Sequence, residues 1–293
     1  MDNWDEIRTA YQVARHGTVS AAATTLGVHH STVIRHVDAL EAQLGVKLFQ
    51  RHARGYTPTE AGQDLLQVAA TTDDQFAQLE GRLRGRGAAV TGELVVTALA
   101  EVSSLVAPVL VAFQERNPDV TVREIADERV LKLEYGEAHV AIRAGRAPQE
   151  PDNVVQKLAR MPAAGFAHRR YVSSHGELRD DADLARHRFI GVGGEDARAP
   201  TAVWMRANLP PDRITYHVSH QRGVLDAVRA GGGIGFLPVW RGRAEEGLVE
   251  LMPPRDEWAS DLWLVTHVDL HRTAKVQGFV KLLKEAARGW PAA

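Results

Sequence analysis

The run His29-His30-Ser31-Thr32-Val33-Ile34-Arg35-His36 places imidazoles, two hydroxyls and a guanidinium around apolar residues at helical spacing. These types suit the reading of base edges. An arginine donates a fork of two hydrogen bonds to guanine, and serine or threonine serves any base. A second polar run, Gln50-Arg51-His52-Ala53-Arg54-Gly55-Tyr56-Thr57, adds guanidiniums of the kind that neutralise phosphate. His30, Ser31, Thr32, Arg35 and His36 are therefore candidates for base contacts, with Arg51 and Arg54 for the DNA backbone or minor groove. Alternatives stay open at several of them. Arg35 fits a phosphate as well as a guanine. His30 and His36 fit solvent or phosphate, and Ser31 and Thr32 can also cap a helix. Arg51 follows the apolar Phe49 and suits a structural ion pair.

Elsewhere, Asp127, Gly193, Trp204, Ser219 and His220 fall at expected strand ends, where ligand crevices of α/β sheets form. Trp204 reads equally as core. His217 and His220 lie on a strand and its edge with no cluster of carboxylates or thiolates, so no metal site is expected. There is no nucleophile elbow, phosphate loop or HExxH, and the glycines of 231–235 precede a short apolar strand rather than a helix. Neither an enzyme nor a cofactor is expected.

The 293 residues, 44% hydrophobic and 25% charged, suit a globular chain of two domains and a linker. The net charge is −2, and within residues 1–62 Arg8, Arg15, Arg35, Lys47, Arg51 and Arg54 are balanced by Asp2, Asp5, Glu6, Asp38, Glu41 and Glu60. DNA binding must then rest on the placement of charge, not its total. The absence of cysteine excludes disulfides, thiolate zinc sites and cysteine redox sensing. The N-terminus is acidic and polar, without a signal-peptide core. The most apolar window, 94–113, is interrupted by Glu101, Ser103, Ser104 and Pro108. A membrane span needs roughly 20 apolar residues in a row. A cytoplasmic, nucleoid-associated protein with no membrane partner is expected.

The elements that must position these residues are legible in the pattern. Residues 4–15 predict an amphipathic helix, and Ser20 a cap for a second helix over 21–26. Val33, Val37, Leu40 and Leu44 form the core stripe of a third helix ending at Gly45. Two short helices around a turn bearing Gly27 make a helix-turn-helix, and residues 46–57 make a wing. Thr59 is placed to cap the next helix. There Leu65, Ala69, Thr72, Phe76, Leu79 and Leu83 step by four and three, a seam for dimerisation or for intramolecular packing. Arg82 to Gly87 reads as a hinge. Beyond it, strands are expected at 94–98, 120–125, 140–143, 163–168, 188–192, 214–218 and 262–267. Helices are expected at 103–116, 128–135, 221–230 and 273–287. That alternation argues for parallel sheets covered by helices, in two α/β lobes around a cleft.

Residues 4–62 resemble the DNA-binding domain of LysR-type transcriptional regulators. The resemblance rests on Ser20-Ala21-Ala22-Ala23 with Leu26, Leu40-Glu41-Ala42-Gln43-Leu44-Gly45, Leu48-Phe49-Gln50-Arg51 and Thr59-Glu60-Ala61-Gly62, in order and at the family's spacing. Weaker likenesses follow at Gly92-Glu93-Leu94, Asn117-Pro118-Asp119-Val120, Val140-Ala141-Ile142-Arg143 and residues 227–238. His29 and Ile34 depart from the family's pattern, which favours Ser or Thr at the first and often Ser at the second. The resemblance implies an α-rich winged helix-turn-helix over 1–62, a linker helix and hinge over 63–90, and a two-lobed α/β effector domain over 91–293 like periplasmic binding proteins. Lobe I is expected at 91–162 and 268–293, and lobe II at 163–267, with crossings near Ala163 and His267. The implied partners are double-stranded DNA with dyad symmetry, a small-molecule effector, a second copy through the linker helix, a tetramer of such dimers, and RNA polymerase. Counting back from Pro108, Glu101 falls where the family often has a ligand-touching hydroxyl, with Ser103 just beyond. A carboxylate there favours a cationic or zwitterionic effector, with Arg143 on the carboxylate of the latter. The alternative is a solvent-facing charge at a helix start. An effector-independent repressor and an enzyme or solute-binding domain fused to a DNA-binding module are the competing functions.

Overall fold

The computed structural model describes residues 4–52, 55–83, 90–126, 131, 133–135, 137–194 and 197–290. Arg54, Asp127, residues 84–87 of the expected hinge and residues 128–130 and 132 of the helix expected over 128–135 lie outside that set.

The N-terminal domain comprises α1 (Trp4–His16), α2 (Val19–Leu26), α3 (His30–Leu44), the hairpin of β1 (Phe49–His52) and β2 (Gly55–Pro58), and the long α4 (Glu60–Leu83). α2 starts before the expected position. Thr18, not Ser20, is its cap, with Oγ1 accepting the Ala21 N–H at 3.3 Å. Gly27 and Gly45 close α2 and α3 at φ 66° and 69°, a left-handed conformation cheap only for glycine. Ala10, Val13, Ala22, Val33, Val37, Leu40, Leu48 and Phe49 form one buried cluster. The small Ala22 and Ala23 let α3 approach α2 closely.

α4 divides the expected seam. Leu65 packs against the core of its own domain and Ala69 is buried, whereas Phe76 is 55% exposed and Val68, two turns earlier, is 64% exposed. Trp4 of α1 meets Phe76 edge-on at 5.9 Å between ring centroids. The side chains at Leu79 and Leu83 lie outside the described set.

The C-terminal region forms two five-stranded sheets. The first lobe holds β3 (Gly92–Ala98), α5 (Ala100–Arg116), β4 (Val120–Ala126), β5 (Val140–Ala144) and β6 (Asn153–Met161). The chain then crosses through Pro162 into β7 (Ala163–His168), α6 (Arg169–His175), β8 (Phe189–Val192), α7 (Pro200–Asn208), β9 (Ile214–Val218), α8 (Gln221–Arg229), β10 (Ile234–Pro238), α9 (Val239–Ala244) and β11 (Leu248–Met252). It returns with β12 (Ser260–His267), α10 (Val268–His271) and α11 (Ala274–Ala287). The strand orders are β4-β3-β5-β12-β6 and β11-β7-β10-β8-β9.

Two expectations are corrected. β12 pairs with β5 and β6, so it belongs to the first lobe. The return crossing is therefore residues 253–259, not the vicinity of His267. The sheets are also mixed rather than parallel. β3 pairs in parallel with β4 and β5, and β8 with β9 and β10, but β12 and β7 are antiparallel to their neighbours. Parallel neighbours need a helix-length crossover. β7 and β12 enter their sheets directly from the interlobe crossings.

In the first lobe α5 and α11 cover one face of the sheet, with Val102, Val106, Phe113, Val276, Phe279 and Leu283 all buried. Each such fully buried large apolar side chain contributes about 1.5–3 kcal/mol. The second lobe is centred on Trp204, Phe236 and Trp258, packed edge to face.

Candidate DNA interface and effector cleft

α3 turns Val33, Val37 and Leu40 inward and leaves His30, Ser31 and Arg35 exposed, with Thr32 half-buried beside them. Four of the expected base-contacting residues thus share the outward N-terminal part of the helix. His36 does not join them. Its Nδ1 lies 3.0 Å from Thr9 Oγ1 on α1, and the Thr9 hydroxyl donates to the Asp5 carbonyl at 2.6 Å. The imidazole must then be the donor, and His36 ties α3 to α1 instead of projecting to a base edge.

The start of α3 is capped by His29. Its Nδ1 accepts the Ser31 N–H at 3.4 Å and lies 2.9 Å from Ser31 Oγ. Imidazole nitrogen here does the work of the serine or threonine oxygen common at such positions.

The wing is held by a carboxylate that sequence reasoning left without a role. Glu41 is 3% exposed. It accepts hydrogen bonds from Lys47 Nζ at 2.6 Å, Leu48 N at 3.0 Å, Phe49 N at 3.3 Å and Arg51 Nη2 at 2.9 Å. Burial raises its pKa, but Lys47, the two backbone N–H groups and Arg51 together hold it below the ordinary carboxylate value. Arg51 also donates to Asp38 at 2.5 Å and lies over the Tyr56 ring, and the Asp38 hydrogen bond raises its pKa. Of the roles open for Arg51, the structure occupies it as an ion-pair partner. Thr59 caps α4 through the Gly62 N–H at 3.2 Å and donates to the Lys47 carbonyl at 2.7 Å. A Cβ at Gly62 would stand 2.0 Å from the Leu48 carbonyl oxygen. These contacts give the Leu-Glu, Leu-Phe-x-Arg and Thr-x-Ala-Gly blocks one purpose: fixing the wing relative to α3. A hollow of about 260 Å³ lies between the starts of α2 and α3 and the wing, lined by Thr18, Ser20, His30, Ile34, His52 and Tyr56.

A second cavity of about 260 Å³ opens between the lobes. One wall is the start of α5, with Glu101, Ser103 and Ser104; the other is Gln221 and Arg222 of α8 with Arg241 of α9. Leu225 and Leu237 contribute apolar surface. Gln221 is fixed by donating to the Phe236 carbonyl at 2.6 Å. Arg241 pairs with Glu245 at 3.3 Å and Arg222 with Asp226 at 3.8 Å, both within α-helical reach.

Among the residues expected to bind an effector, Glu101 and Ser103 line this cavity. Arg143 does not. It donates to the Leu131 carbonyl at 2.8 Å, and burial depresses its pKa. Trp204 is 7% exposed in the second lobe's core. Gly193 forms the turn after β8, donating to the Val218 carbonyl at 2.9 Å. Ser219 is exposed between β9 and α8, outside the cavity lining. Ser104, Gln221, Arg222 and Arg241 were missed. The first two arginine-bearing positions of α8 and α9 meet α5 only through the lobe arrangement, which leaves no local spacing to read. No group of three or more potential metal ligands occurs among the described residues.

Residues 4–63 match the family model of the bacterial regulatory helix-turn-helix proteins of the lysR family, and residues 87–288 match that of the LysR substrate binding domain. A probable HTH-type transcriptional regulator, LtrA of Klebsiella pneumoniae, is 28% identical over 94% of this chain and 91% of its own. ArgP from Mycobacterium tuberculosis superposes with a TM-score of 0.71 at 21% identity, covering 97% of each chain. Full-length LysG from Corynebacterium glutamicum, solved with bound effector Arg, gives 0.68 at 19% identity over 97% of each. With both of its domains matched, in the order seen in full-length structures of the same fold, this chain belongs to the LysR family of DNA-binding transcriptional regulators.

Proposed function

We propose that the chain reads a dyad-symmetric promoter site with His30, Ser31, Thr32 and Arg35 of α3, while the wing follows the adjacent backbone. The observation that carries this reading is the sidedness of α3: its apolar stripe is packed, and its outward N-terminal face gathers donors and acceptors beside the wing. Recognition helices of this class place their N-terminal residues at base edges in the major groove. Arg54 remains a proposed backbone contact outside the described residues. The exposed Val68 and Phe76 of α4, with Trp4 against Phe76, support a dimer through the linker helix. Two such dimers make the proposed tetramer, and RNA polymerase is the proposed downstream partner in the cytoplasm.

The effector is a small zwitterion held between the lobes. Support comes from the opposed charges: Glu101 on the first lobe faces a cleft that Arg222 and Arg241 line from the second. A ligand carrying an ammonium and a carboxylate satisfies both walls and draws them together. Footprinting on the DNA upstream of the chain's own gene, with and without a metabolite panel, tests the regulatory reading. Protection of two half-sites about one helical turn or a multiple apart is expected. Calorimetric titration with cationic, anionic and zwitterionic probes tests the ligand class. Tight binding of a simple dicarboxylate, undiminished in Glu101→Gln, ends it.

A further inference from the structure

The cap of α3 bears on what Ser31 can say to a base. The Ser31 backbone N–H points at His29 Nδ1, so that nitrogen carries the lone pair and the ring proton sits on Nε2. The Ser31 hydroxyl lies 2.9 Å from the same nitrogen. With Nδ1 an acceptor, the only hydrogen bond open between them runs from Ser31 O–H to His29 Nδ1. His168 and His267 cap α6 and α10 in the same way, accepting the Arg170 and Asp269 N–H groups at 3.1 and 3.3 Å, but neither has a hydroxyl two residues on. The combination of histidine cap and serine belongs to α3 alone among these three.

We propose that His29 fixes the hydrogen-bonding polarity of Ser31, making it an acceptor-only residue that favours a base amino group in the major groove. A serine hydroxyl free to rotate both donates and accepts, and tolerates every base. With its proton committed to His29, only the lone pairs of Ser31 face outward. The partners that donate in the major groove are the N6 amino group of adenine and the N4 amino group of cytosine; guanine and thymine present acceptors there. His29 is a positioning residue in this arrangement. It acts through Ser31, and its departure from the Ser or Thr common at the cap exchanges a permissive contact for a selective one.

The inference rests on the reading of α3 as the base-contacting helix, and the experiment separates the two. The full-length protein selects from a pool of duplexes randomised across the bound site, and the enriched sequences are compared with those from Ser31→Ala, His29→Ala, His29→Asn and Arg35→Ala. At the base pair that changes in Ser31→Ala, replacing the amino-bearing base by an analogue without that group (purine for adenine, 2-pyrimidinone for cytosine) is expected to weaken wild-type binding by about 3- to 10-fold, the scale of one hydrogen bond, and this ratio is the readout. His29→Ala should bring that ratio close to one while enrichment at the Arg35-dependent position persists. His29→Asn restores an acceptor at the cap and should restore the ratio. A His29→Ala protein with weaker overall binding but the wild-type ratio overturns the proposal, as does a wild type that binds equally well without that amino group. If Ser31→Ala and Arg35→Ala both leave every position unchanged, it is the reading of α3 itself that fails.

Discussion

Glu41 concentrates more of the N-terminal domain's polar chemistry than any residue expected to touch DNA. Its carboxylate receives two cations and two backbone N–H groups while 3% exposed. Replacing it with Gln leaves the volume and removes the charge. The expected cost is about 1–3 kcal/mol, since buried groups lose the charged partner rather than a surface pair. The pH dependence has a definite sign. The folded pKa lies below the ordinary value of 4.5, so the contribution is complete above that value and is lost as the pH falls through the folded one. Denaturant unfolding on acidification should show the wild type losing stability more steeply than Glu41→Gln; parallel losses contradict the assignment. At Gly62, Ala would push a Cβ to 2.0 Å from the Leu48 carbonyl. Gly62→Ala should lower the melting temperature of the domain, and thermal unfolding by circular dichroism reads it. The polar types around Ser31 and Arg35 were legible because α3 is a continuous amphipathic helix. The commitments of His36 to Thr9 and of Arg143 to Leu131 were not, because each partner is distant in sequence or on another element.

At the scale of elements, α4 presents the surface proposed for assembly. Its periodicity predicted one seam, and the structure splits it, with Leu65 and Ala69 spent on the domain's own core and Phe76 exposed next to Trp4. A 3.6-residue period names a face but not what covers it. Charges at Val68 and Phe76 should therefore act on assembly without unfolding the helix-turn-helix. The double variant Val68→Asp, Phe76→Asp is expected to sediment as a monomer with unchanged helical content; a persistent wild-type assembly excludes this surface from the interface. The same limit explains the strands. β7 and β9 coincide with their expected spans because each is a short run between clear breakers. β6 and β11 were not seen: the burial along β6 is intermediate rather than alternating, and β11 is short at a sheet edge. The parallel expectation failed for β7 and β12 because crossing strands carry no helix to announce their direction.

The whole molecule joins a DNA-reading end to a cleft built by two lobes that exchange the chain twice. The proposed ligand, bridging Glu101 to Arg222 and Arg241, shifts an equilibrium between lobe arrangements only by the difference in its affinity for them. Arg222→Ala should then weaken both zwitterion binding and the zwitterion's effect on the DNA complex, while leaving ligand-free DNA affinity unchanged. A change in the ligand-free affinity points instead to a fault in the fold. With a net charge of −2, attraction to DNA rests on where the positive charges sit rather than on their total. The proposed specificity rests on the few side chains that α3 presents. The most direct measurement is a competitive gel shift at moderate salt, using the DNA upstream of the chain's own gene against excess unrelated duplex, with wild type and Arg35→Ala side by side. The wild type should retain its own DNA, and Arg35→Ala should lose about 1–3 kcal/mol of that preference. Equal retention of both duplexes by the wild type would contradict the account.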